Sequence, residues 1–219
     1  CLASMGIYVF KASAMMDALE GNATDFGKEI IPSLVNSKNL KCHVFDDYWE
    51  DIGTVRAFFE ANLQLTDDKP SFDFYDEKLP IYNYPDILPT AKLVECSLKN
   101  TTVASGCRIG NSSFERCMLG IRSEVGDNCH FSNVVMMGAD YQDDDGSNDQ
   151  QISIGVGDGS KIQDAIIDKN ARIGENVRLS PKGVQEGWAD ERQNIYSRDG
   201  VLVIVKNAFV ESGTKIGEI

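Results

Sequence analysis

The chain has 219 residues, 42% of them hydrophobic and 25% charged, with 21 Lys and Arg against 34 Asp and Glu and a net charge of −13. Those proportions describe an ordinary soluble globular protein with enough chain for one large domain or two small ones. The charge argues against a nucleic-acid-coating protein, which needs a basic face, and no run approaches the ~18 apolar residues of a membrane span.

The chain opens at Cys1 and runs directly into Ile7-Tyr8-Val9-Phe10. It has no charged n-region and no small-residue cleavage site, so no signal peptide is read, and a fragment whose beginning lies upstream is expected. Residues 5–10 are predicted to form a buried strand. Residues 14–19 read as a short helix stopped by Gly21-Asn22, and Asp25 can cap a helix over 26–35. Residues 41–45 read as a second strand, 49–53 as a loop, and Thr54 can cap a helix over 55–65. Residues 1–67 are therefore mixed α/β. Residues 68–89 hold four of the six prolines (Pro70, Pro80, Pro85 and Pro89) together with Tyr75, Tyr82 and Tyr84. An extended linker packed on a surface is expected there, not a flexible tether.

From about residue 91 the period changes. Aliphatic or aromatic residues recur every six positions: Val103 and Ile109; Leu119, Val125 and Phe131; Val156 and Ile162; Ile167, Ile173 and Leu179; Ile204, Val210 and Ile216. Gly or an acidic residue often follows at once, and a small or β-branched residue stands four positions on (Cys107, Ser113, Cys129, Ser160, Ala171, Val177, Thr214). This is the hexapeptide repeat of a parallel β-helix, in which each hexapeptide supplies one short strand and a corner and three close a triangular coil. Such coils are left-handed, against the usual right-handed crossover. One-residue slips, as from Ile162 to Ile167, are read as deletions at corners. Two segments break the period, residues 141–151 (YQDDDGSNDQQ) and 181–199 (PKGVQEGWADERQNIYSRD), and both are expected to leave the coil as loops.

Six cysteines (Cys1, Cys42, Cys96, Cys107, Cys117, Cys129) show no C-x-x-C spacing, and His43 and His130 are the only histidines. That argues against a structural zinc site and is too sparse for a disulfide scaffold. A reducing interior is expected, and the sequons at Asn22, Asn100 and Asn111 read as chance matches. An EF-hand centred on Gly146 fails, because Tyr141 and Ile152 would occupy positions that require carboxylates. The run Gly155-Val156-Gly157-Asp158-Gly159-Ser160-Lys161 lacks phosphate-loop spacing and reads as corner glycines. Cys107 and Cys129 read as core filler. His130 raises the alternative of a hexapeptide acyltransferase, with a His general base.

A stronger constellation precedes the repeat. Asp46-Asp47-Tyr48-Trp49-Glu50-Asp51 places carboxylates beside aromatics at a strand-to-helix loop, where open α/β sheets bind ligands. Aromatic faces suit sugar rings, and a carboxylate can hold Mg²⁺ on a phosphate. Asp25-Phe26 repeats the pattern at a helix start, although Asp25 as a cap alone and Asp51 as a surface charge alone explain the residues equally well.

The segments CLASMGIYVF, DFGKEIIP, DYWEDIGTVRAFFEAN, MMGADY, IIDKNARIG and VQE, in this order, resemble ADP-glucose pyrophosphorylase (glucose-1-phosphate adenylyltransferase), with wording closer to plant and algal forms. The resemblance covers essentially the whole chain. The family's first half, with its Gly-rich ATP loop, an upstream Mg-binding Asp and a sugar-phosphate motif, has no counterpart in it. The implied architecture is the C-terminal part of a Rossmann-like nucleotidyltransferase domain (residues 1–67), a linker (68–90) and a left-handed parallel β-helix for regulation and oligomerisation (91–219).

The family reaction transfers AMP from ATP to glucose 1-phosphate, giving ADP-glucose and pyrophosphate in starch or glycogen synthesis. The resemblance implies that Ser4, Tyr8, Asp25, Phe26 and Trp49 line the glucose 1-phosphate pocket and that Asp51 is a catalytic carboxylate on Mg²⁺. It also implies that Lys169 and Lys206 bind anionic effectors, 3-phosphoglycerate as activator and phosphate as inhibitor. Small and large subunits would form a heterotetramer, in the plastid stroma or, if bacterial, the cytoplasm. This fragment alone is expected to be inactive. A non-catalytic, large-type regulatory subunit is the main alternative.

Overall fold

The six-residue period becomes a three-sided coil of parallel strands in the computed structural model, which describes residues 3–82, 87–142 and 152–219. One side stacks β1 (Lys92–Leu93), β3 (Arg108–Ile109), β5 (Glu124–Val125), β7 (Gly155–Val156), β9 (Arg172–Ile173) and β14 (Phe209–Val210), each parallel to the next. The other two sides are made by longer strands that bend: β2 (Ser97–Val103), β4 (Ser113–Leu119), β6 (His130–Met136) and β8 (Lys161–Ile167). Their bends fall at Asn100, Arg116, Asn133 and Asp164, all in the left-handed backbone region. Asn and Asp tolerate that region because their short side chains bond locally. The second side is completed by β10 (Arg178–Leu179) and β15 (Lys215–Ile216), and the third by β13 (Val201–Ile204) against β8.

Every aliphatic of the predicted register faces the interior. Ile109, Leu119, Val125, Phe131, Val156, Ile162, Ile167, Ile173, Leu179, Ile204, Val210 and Ile216 are buried in one cluster, and Val103 packs against it. Phe114 and Phe131, in adjacent coils, meet edge to face at 5.2 Å. Lys92 pairs with Arg108 and Arg108 with Glu124, so the first coils repeat every 16 residues and are shorter than three full hexapeptides. The shortening moves one small inward position. Ser112, not Ser113, is buried, and its hydroxyl donates to Gly126 O (2.8 Å) while accepting from Cys129 N (2.9 Å). Where the chain doubles back, glycine is required: a Cβ at Gly138 (φ +83°) would lie 2.0 Å from Ile121 O.

The third side is apolar on both surfaces, because residues alternate along a strand. Val134 and Met136 point inward, while Val135 and Ile166 point out and are nevertheless buried. They are covered by α3 (Val55–Gln64), whose Phe59 and Leu63 pack on Val135, Ile166 and Val201. Burial of this order contributes roughly 1.5–3 kcal/mol per large side chain. Thr54 caps the helix as expected, its hydroxyl accepting from Ala57 N at 3.1 Å. The corner residue Arg116 reaches Glu60 on α3 at 3.3 Å.

The described residues divide into two compact units, Cys1–Trp49 and Glu50–Ile219, so α3 belongs with the β-helix. In the first unit α1 (Ala12–Ala18) forms close to its expected place. The helix expected over 26–35 begins as a π turn (Phe26–Ile30) and continues as α2 (Ile31–Leu34). Pro32 donates nothing and crowds the carbonyl one turn earlier, and the turn before it is widened, with Ile30 N reaching Asp25 O at 3.0 Å. The strands expected over 5–10 and 41–45 are not observed. A strand needs a hydrogen-bonded neighbour, and neither segment finds one among the described residues of this unit. Ile7 and Val9 are 73% and 97% exposed.

The linker also departs from expectation. Tyr75 and Tyr82 are 86% and 93% exposed, so they do not pack on a surface. Asp73 and Asp76 cap the turns instead, accepting from Tyr75 N and Lys78 N, which satisfies the backbone locally. Tyr84 and Pro85 lie outside the described residues, as do most of the acidic segment 141–151 and the Gly146 loop position. The 181–199 segment leaves the coil but is not irregular throughout. β12 (Ile195–Arg198) joins the third side antiparallel to β13, β11 (Ala189–Asp190) pairs antiparallel with β12, and Trp188 packs on the core. Among the described residues no helix is long and apolar enough to cross a membrane.

Candidate functional site: an aromatic cleft and a lysine clamp

Four of the expected sugar-site residues come together in the first unit. Ser4, Tyr8, Asp25 and Phe26 line a cleft of about 760 Å³. Gly6 adopts φ +72° between Ser4 and Tyr8, and the two hydroxyls meet at 2.9 Å. The rings of Tyr8 and Phe26 stack with centroids 6.0 Å apart and 21° between planes, with Phe10 edge-on to Phe26. The cleft thus offers an aromatic wall beside hydroxyl groups, an arrangement suited to a sugar ring.

Asp25 has a structural task as well. Its Oδ1 accepts from Lys28 N at 2.7 Å, and Glu29 Oε2 accepts from Thr24 N at 2.8 Å, closing a capping arrangement. Its Oδ2 has no partner among the described residues. The cap reading and the ligand reading are therefore compatible, one oxygen for each.

Trp49 is half-exposed and is not among the residues lining the cleft. Asp51 belongs to the second unit. Its Oδ1 accepts from Gly53 N at 2.9 Å just before the α3 cap, which leaves Oδ2 for another partner. Among the described residues, no group of three or more His, Cys, Asp or Glu could hold a metal ion. A lone exposed carboxylate can still supply one ligand to Mg²⁺, which takes one or two protein carboxylates together with substrate phosphates.

Lys169 and Lys206 are brought together at one corner of the β-helix, and both grip Asp140. Lys169 Nζ lies 2.7 Å from Oδ1 and Lys206 Nζ 2.6 Å from Oδ2. Asn170, buried and left-handed, donates to Oδ2 at 3.2 Å and accepts from Asp140 N at 2.8 Å. Hydrogen bonds from the two lysines hold the Asp140 carboxyl well below the usual carboxylate range, and Asp140 in turn raises Lys206. Asp140 is the residue that sequence reasoning left without a role. It stands in the MMGADY segment, 29 positions before Lys169, and nothing local ties the two.

Cys107 and Cys129 are core filler, as expected. Their thiols reach Gly120 O and Gly157 O, and burial pushes both upward. Burial carries Cys117 to about 12. His130 is exposed on the second side, with Nδ1 at 2.6 Å from Ser113 Oγ.

Residues 86–215 match the family model of the GLGC left-handed parallel β-helix domain, and residues 1–68 match that of nucleotidyl transferases. The first match covers more than half of the chain and supplies the handedness of the coil; the second spans the aromatic cleft, Asp51 and α3. By this order of segments, and by the coil that one of them builds, the chain belongs to the ADP-glucose pyrophosphorylase-type nucleotidyltransferases.

Proposed function

We propose that the chain is part of a glucose-1-phosphate adenylyltransferase subunit, which joins ATP and glucose 1-phosphate into ADP-glucose and pyrophosphate for starch or glycogen synthesis. The observation that carries this reading is the cleft of Ser4, Tyr8, Asp25 and Phe26 within the nucleotidyl-transferase segment. Tyr8 and Phe26 would face the sugar ring. The hydroxyls of Ser4 and Tyr8 and the free oxygen of Asp25 would bond its hydroxyl groups, holding the phosphate for in-line attack on the α-phosphorus. Trp49 is assigned to the same pocket by the resemblance. Asp51 would hold Mg²⁺, which supplies neutralisation of the charge developing on the transferred group.

Residues 1–67 would then serve the catalytic domain, 68–90 would connect, and 91–219 would regulate and assemble small and large subunits. Lys169 and Lys206 would receive 3-phosphoglycerate or phosphate. The plastid stroma is the proposed location, or the cytoplasm in a bacterium. A regulatory, large-type subunit shares every one of these features and differs in the nucleotide half.

Calorimetric titration of glucose 1-phosphate into the chain tests the sugar site. Ser4→Ala and Tyr8→Phe each remove one hydroxyl and should weaken binding about five- to tenfold, the worth of one hydrogen bond. Unchanged binding in both variants would remove the cleft from the reaction. In the intact enzyme, Asp51→Ala should abolish Mg-dependent turnover while leaving the fold in place, and normal turnover would dismiss Asp51.

A further inference from the structure

Two lysines on an exposed corner of a protein with net charge −13 would ordinarily pair with whichever acids stood nearby. Here they share one carboxylate, and that carboxylate is held from two further directions. Lys169 takes one oxygen of Asp140 and Lys206 the other. Asn170 bonds both the carboxylate and the Asp140 backbone N–H. Asn170 is itself fixed, buried in a left-handed corner and bonded to Asn207 in the next coil at 3.2 Å. The result is a carboxylate in a cradle of two ammonium groups and an amide, the same set of donors that a small free anion would use.

We propose that Asp140 is the resident occupant of this anion site and sets its selectivity, so that a ligand enters by displacing Asp140 and only a dianion, phosphate or a phosphomonoester, does so effectively. The inference rests on the reading of Lys169 and Lys206 as an anion site. Its physical basis is charge and tethering. Two lysines and the one aspartate they grip leave one net positive charge, and Asp168, which also acts on Lys206, does so more weakly than Asp140. A free monoanion that replaced Asp140 would regain only the same Coulomb attraction and would compete with a carboxylate held nearby by the chain, whose effective concentration is high. A dianion neutralises both lysines and gains attraction that the aspartate cannot match. The pKa directions agree with a strongly held resident anion, since Asp140 is lowered chiefly by Lys169 and Lys206 is raised chiefly by Asp140.

The test is titration of the chain with inorganic phosphate and with acetate, by calorimetry at fixed low ionic strength. Asp140→Asn and Asp140→Ala should bind phosphate about tenfold tighter than the unmodified protein, and they should acquire acetate binding that the unmodified protein lacks. Glu175→Gln removes the same charge elsewhere on the coil and should leave both titrations as they were. Should Asp140→Asn bind phosphate no tighter, or should Glu175→Gln match its gain, the displacement idea is overturned while the lysine site stands. Lys169→Ala and Lys206→Ala should each lose phosphate binding, and unchanged binding in both would overturn the anion site itself. A measurement on the unmodified protein needs no variant to fold: the carboxyl carbon resonance of Asp140 should move as phosphate saturates and stay still with chloride. Saturation by phosphate with that resonance unmoved would overturn the proposal.

Discussion

In the β-helix each coil is the hydrogen-bonding partner of the next, and the aliphatics at successive corners stack into one core from Cys107 to Ile216. In the first unit, Ile30 alone is buried among the described residues, while Ile7 and Val9 lie open. The first unit carries the apolar run Ile7-Tyr8-Val9-Phe10, and the repeat carries apolar residues at every sixth position. The difference is where the covering partner comes from. In a repeat it is the next coil, 16 or 17 residues away where no segment is inserted, and has the same pattern. In an α/β segment it must be supplied by an unrelated stretch. A repeat carries its own covering partner, because that partner is another copy of the same code.

This contrast can be broken most sharply by truncating one side chain in each region. Ile204→Ala should cost about 2–5 kcal/mol, because the coil cannot collapse around the space it leaves. Val9→Ala should stay within about 0.5 kcal/mol, as for an exposed site. Chemical denaturation of both variants measures this, and equal losses would erase the distinction. A smaller effect, about 1 kcal/mol, is expected for Thr54→Ala, which removes the cap that starts α3. Its loss should also raise hydrogen exchange in Phe59 and Leu63, the residues that cover the third side. No change in exchange would mean that packing alone holds the helix.

The smallest perturbation is chemical. A thiol reagent at pH 8 should label Cys42, which is exposed, and spare Cys107, Cys117 and Cys129 until the protein unfolds. Burial raises all three, and a thiol at about 12 has almost no thiolate at that pH. Fast labelling of the three would mean that the coils open readily.

The β-helix was legible because its signal is periodic: twelve of its thirteen marked apolar residues are buried where the register put them, and Val103 packs beside them. The caps at Asp25 and Thr54 were legible for a related reason, since a cap and its donor lie three residues apart. The aromatic cleft was half legible. Ser4 and Tyr8 are neighbours in one short segment, but the stacking of Tyr8 on Phe26 joins residues 18 positions apart and no local rule requires it.

What the sequence alone determined is whatever depends on short spacings: the coil and its inward aliphatics, the helix starts, and the inert buried thiols. Tertiary structure alone decided that α3 would lie on the outward face of β6 and β8, and that the hairpin of β11 and β12 would join the same side. It also decided that Asp140 would stand between Lys169 and Lys206. These arrangements depend on which distant segments the winding of the chain places side by side, and the energy that fixes them comes from contacts no local pattern encodes.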